Sequence, residues 1–74
     1  MSTLAQALHN LHTARELVTD AHRRRQYALA ARDSAAEVLL DPQATDTLRH
    51  RARDCFRAAS ALLATDTTPQ VGTP

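Results

Sequence analysis

A chain of 74 residues has room for one domain and one small hydrophobic core. Its net charge of +1 gives no bulk field to draw it to nucleic acid or an anionic membrane, and its single cysteine, Cys55, excludes an intrachain disulfide and fits a reducing compartment. No apolar run approaches the roughly 18 residues of a membrane span, and the opening Met-Ser-Thr-Leu-Ala lacks the layout of a signal peptide, so the expected location is the cytoplasm.

The first predicted helix covers residues 3–22. Thr3 followed three residues later by Gln6 has the form of a capping box, and Leu4, Ala7, Leu8, Leu11, Ala14, Val18 and Ala21 recur at helical spacing. The stripe falters at His22-Arg23-Arg24-Arg25-Gln26, where three consecutive arginines step round the helix by about 100° each and one would point into the seam. Either the chain turns there, which gives three helices, or one helix of nearly forty residues runs through. The turn within residues 22–26 is the preferred reading.

A second helix is predicted over residues 25–40, with Ala28, Leu29, Ala35, Ala36, Leu39 and Leu40 as its apolar face. Asp41-Pro42 then reads as an N-cap followed by a first-turn proline, which starts a third helix over residues 42–64. Its stripe is Leu48, Ala52, Cys55, Phe56, Ala59, Leu62 and Leu63. Residues 65–74 have no periodicity and are expected to form a disordered tail, leaving 1–64 as the helical bundle. The fold class is therefore all-α, a helical hairpin or three-helix bundle that assembles into a larger bundle.

Arg49, Arg53 and Arg57 form a basic stripe, and Asp33, Glu37 and Asp41 form an acidic one with the same spacing. Folding the two helices back about residue 45 sets Asp41 against Arg49, Glu37 against Arg53 and Asp33 against Arg57, as flanking charges that fix register. The run Arg23, Arg24 and Arg25 has no acidic counterpart and is the candidate phosphate-binding cluster.

Catalytic signatures are missing from the sequence. His12 and Glu16 lie four apart beside His9 and Asp20, a spacing that suits a metal ion, but on the polar face of helix 1 they read as solvated side chains. Cys55 sits on an apolar face with His50 badly placed to activate it, and there is no glycine-rich phosphate loop. No enzyme activity, cofactor or metal is expected.

The spacing of Leu4, Ala7 and Ala14, the pair Tyr27 and Ala30 opening helix 2, the ending Leu39-Leu40-Asp41-Pro42, and Arg57-Ala58 with Leu62 carry a resemblance. In these positions the chain resembles the three-helix modules of the MIT (microtubule-interacting and transport) and tetratricopeptide type. It has no second repeat and no glycine in its first helix, where tetratricopeptides carry one. The resemblance implies a groove between helices that accepts a partner helix.

The functional expectation is a non-catalytic interaction module whose partner is itself or another helical protein, with Leu4, Leu8, Leu11 and Val18 as surplus apolar surface. The alternative is a small DNA-associated regulator of phage or plasmid type, with Arg23, Arg24 and Arg25 on phosphate. All nine basic residues are arginine and alanine is abundant, which points to a GC-rich bacterial or phage genome.

Overall fold

The computed structural model describes residues 2–67 and contains three helices: α1 (Thr3–Glu16), α2 (Ala21–Leu40) and α3 (Asp46–Thr67). Consecutive helices run antiparallel, joined by two short turns, and form an elongated slab of 47 × 23 × 13 Å.

The N-cap of α1 is Ser2, one residue before the expected Thr3: its hydroxyl accepts from the Ala5 N–H at 3.1 Å. The first interruption falls at residues 17–20, ahead of the expected 22–26. Leu17 leaves the helix at φ −88°, ψ 60°, and its N–H closes on the Ala14 carbonyl at 3.2 Å. Asp20 then caps α2, its carboxylate accepting from the Arg23 N–H at 3.0 Å. An aspartate cap thus overrides a sequence that holds no glycine or proline here, and the arginine run lies inside the first turns of α2.

Asp41-Pro42 also acts differently from the expectation, closing α2 instead of opening α3. The Ala44 N–H reaches the Asp41 carbonyl at 3.1 Å, making a β-turn with Pro42 at its second position. The Asp41 carboxylate accepts from the Gln43 N–H at 2.8 Å, so it is engaged in the turn. Thr45 caps α3 instead, its hydroxyl accepting from the Leu48 N–H at 3.1 Å, with Asp46 in the first turn where the helix dipole favours an acid. At its far end α3 continues through residues 65–67, which the sequence assigned to the tail; residues 68–74 of that tail lie outside the described residues.

Seven of the twelve buried apolar residues are alanine, so the helices approach closely over small side chains. One cluster joins Leu4, Ala7 and Leu11 of α1 to Ala31, Ala35 and Val38 of α2 and to Ala52, Cys55 and Ala59 of α3. A second, at the other end, joins Ala14, Ala28 and Leu63. The inward face of α2 is thus Ala28, Ala31, Ala35 and Val38, rotated about a quarter turn from the expected stripe. Leu29 and Leu39 end on the flank, half-buried, and Leu40 is 82% exposed.

Candidate docking surfaces

α2 lies along both other helices, whereas α1 and α3 meet over a shorter stretch. Between α1 and α3 this leaves an open cleft of about 300 Å³. Leu11, Cys55 and Ala58 form its floor, Leu8 its wall, and Arg15, Arg51 and Asp54 its charged rim. Ala58 contributes so little bulk that a partner's backbone has room to approach α3 at that point.

The four candidate partner-binding residues separate here. Leu4 and Leu11 are buried, at 8% and 6% exposure, and belong to the chain's own core, which corrects their assignment as surplus surface. They point inward because α1 has two neighbours to cover and few large residues with which to do it. Leu8 at 43% and Val18 at 73% remain open to a partner. Val18 sits in the turn after α1, away from the cleft. Leu40 and Leu48 are further exposed apolar residues, at 82% and 39%; the sequence had placed both in the core. A second cleft of about 370 Å³, lined by Thr3, Glu37, Val38, Leu40 and Asp41, runs along the α1 side of α2.

The three candidate phosphate-binding arginines also part company. Arg24 is half-buried and donates from Nη1 to the carbonyls of Leu17 at 2.8 Å and Val18 at 3.0 Å, closing the end of α1. Arg23 and Arg25 are exposed but lie about 200° apart on the helix, so they cannot grip one phosphate together.

His12 Nε2 and Glu16 Oε2 meet at 3.3 Å on the outer face of α1, with both side chains largely in water. Among the described residues no three His, Cys, Asp or Glu side chains are grouped closely enough to hold a metal ion. Cys55 is 2% exposed; burial pushes its thiol pKa up from 9.0, partly offset by the positive charge of Arg15.

The acidic and basic stripes do not pair as expected. Arg49 donates from Nη2 to the Asp41 backbone carbonyl at 3.2 Å, not to its carboxylate, and its other nitrogen lies 3.8 Å from Asp46. Among the described residues no ion pair joins Glu37 to Arg53 or Asp33 to Arg57. The rotation of α2 carried its acidic stripe toward α1, as Glu37 beside Thr3 shows. No family model matches this chain, and neither a curated protein nor a solved structure is significantly similar to it.

Proposed function

We propose that this chain is a non-catalytic helical interaction module that self-associates or docks a partner helix. The observation that carries this reading is the division of its apolar residues: alanines fill the interior, while Leu8, Val18, Leu40 and Leu48 stay exposed. A small domain gains most from its large side chains, so leaving several of them on the surface makes that surface worth covering. The α1–α3 cleft, with Leu8 and Ala58, is the groove that the resemblance to MIT and tetratricopeptide modules would use. The arginine-only basic complement agrees with a GC-rich bacterial or phage origin, and the single cysteine with a reducing compartment.

The test is the solution mass by light scattering from micromolar to millimolar protein, followed by titration with amphipathic helical peptides read by amide shifts. A dimer or higher oligomer, or saturable shifts along the α1–α3 cleft, supports the reading. A chain that stays monomeric and is inert to every peptide overturns it.

A DNA-associated regulator of phage or plasmid type is the second reading, favoured by the exposure of Arg23 and Arg25 at the start of α2. It has less support, because Arg24 is already engaged with carbonyl oxygens. Retardation of duplex DNA at low salt, lost steeply as salt rises, is its expected signature.

A further inference from the structure

Taking the chain as a module that docks a partner helix, we infer that the α1–α3 groove receives a helix of a separate protein whose apolar stripe is flanked by acidic side chains, which meet Arg15 and Arg51.

The groove follows from the way three helices share one interior. α1 and α3 run parallel, each packed along α2, and meet each other over a shorter stretch. Leu11 and Cys55 lie at the floor of the cleft between them. Toward the α2/α3 turn a neighbouring opening of about 350 Å³ has Leu4 of α1 and Leu48 of α3 in its lining. Leu8 stands one turn on from Leu4, and Arg51 one turn on from Leu48, so the two openings follow one another along the same seam. From Leu4 to Arg15 that seam is about 16 Å long, or three helical turns. This is the footprint over which an amphipathic helix sets its apolar anchors, at i, i+3 or i+4, and i+7.

Such an occupant brings its own apolar stripe, and no helix of a second copy carries one. Among the described residues the exposed large apolar side chains are Leu8, Val18, Leu40 and Leu48. Leu8 lies on α1, Val18 in the turn that follows it, Leu40 at the end of α2 and Leu48 near the start of α3. No two of them stand one turn apart on a single helix, as a stripe requires. The groove therefore fits a helix from another chain better than one from its own.

The charges of the rim say what flanks that stripe. Arg15 stands on the α1 side, with Arg51 and Asp54 on the α3 side. All three are exposed, and no side-chain ion pair or hydrogen bond among the described residues engages them. Two arginines against one aspartate leave the rim positive. At the floor, burial raises the Cys55 thiol pKa, and the opposing influence is the positive charge of Arg15. The positive potential thus reaches into the groove itself. Carboxylates on either edge of the partner's stripe are its complement, one toward Arg15 and one toward Arg51.

The test uses the full chain and two end-blocked helical peptides about four turns long, which share one leucine stripe. Glutamates flank the stripe in one peptide and lysines in the other. Amide shifts follow and locate binding, and circular dichroism follows folding. The glutamate peptide is expected to shift the amides of Leu8, Leu11, Cys55 and Ala58 saturably. At low salt it should bind roughly tenfold more tightly than the lysine peptide, and the gap should close as salt rises. The double variant Arg15→Gln/Arg51→Glu alters two exposed side chains, so it should keep its helicity and reverse the preference. A wild type that binds the lysine peptide in the groove as tightly, or a folded variant with unchanged preference, overturns the acidic partner while helix docking stands. A glutamate peptide that binds away from the groove overturns this site. Groove amides that shift with protein concentration but with neither peptide assign the groove to a second copy, which overturns the inference and leaves the self-association branch. No response to either peptide or to concentration overturns the inference and the functional reading together.

Discussion

Arg24 closes the end of α1 by reaching back seven residues to the Leu17 carbonyl, which its Nη1 meets at 2.8 Å. The carbonyls in the last turn of a helix have no partner within it, and a guanidinium supplies charge-assisted bonds there. Replacing Arg24 with alanine should cost about 1.5–3 kcal/mol of unfolding free energy, the range for hydrogen bonds to charged groups. Urea denaturation followed by circular dichroism would measure it. Alanine at Arg23 or Arg25, both exposed, should change stability by no more than about 0.5 kcal/mol. Equal losses at all three positions would contradict the division of roles.

Thr45 does the same work at the start of α3 that Asp20 does for α2, accepting from the Leu48 N–H at 3.1 Å. Thr45→Ala should lower stability by about 1 kcal/mol through loss of the cap, and Thr45→Asp should retain or raise it. Pro42 lies in the β-turn outside α3, so Pro42→Ala should leave the helix content unchanged. A loss of helicity in that variant would place the start of α3 at residue 42 after all.

How far the sequence could be read depended on how strongly each residue type constrains its surroundings. The all-α class and the antiparallel α2/α3 hairpin follow from spacing, whereas a turn near residues 22–26 and one long helix stayed open; Arg49 does reach Asp41, at its backbone carbonyl. The rotation of α2 was not legible, because hydropathy ranks Leu29, Leu39 and Leu40 above Ala28, Ala31 and Ala35. Close helix approach ranks them the other way, since only small side chains fit between adjacent backbones. That one inversion moved the acidic stripe to the other flank and left Leu40 exposed. The break at residues 17–20 did carry a signal in Thr19-Asp20, two residues favoured at helix starts, but the interrupted apolar stripe at the arginine run points to a later position. Of the candidate sites, Leu4 and Leu11 could not be told from Leu8 without knowing which side of α1 faces two neighbours.

The alanine interior makes its own prediction. Ala35 is fully buried between helices, and leucine there adds volume that the close crossing does not hold. Ala35→Leu should destabilise the chain by about 1–3 kcal/mol, the usual cost of overpacking. Leu40→Ala removes a side chain that is 82% exposed and should change unfolding free energy little at concentrations where the chain is monomeric. Thermal or urea unfolding of the two variants would separate these outcomes, and a stabilised Ala35→Leu protein would show that the core is loosely filled.

Cys55 offers a check on burial through its chemistry. Its thiol is nearly inaccessible, and burial pushes its pKa above the usual 9.0 against the smaller opposing effect of Arg15. The unfolded chain therefore loses this proton at lower pH than the folded one. The stabilising contribution is present in full below about pH 9 and is lost as pH rises through the folded pKa. Relative to a Cys55→Ala variant, the urea midpoint of the wild type should stay at a constant offset from pH 6 to 8 and fall above pH 9. At neutral pH the folded thiol should react slowly with a disulfide reagent, and the rate should rise to that of a free thiol in denaturing urea. A thiol that reacts freely in the folded chain would mean that the α1–α3 cleft opens to its floor, where Cys55 lies next to Leu11 and Ala58.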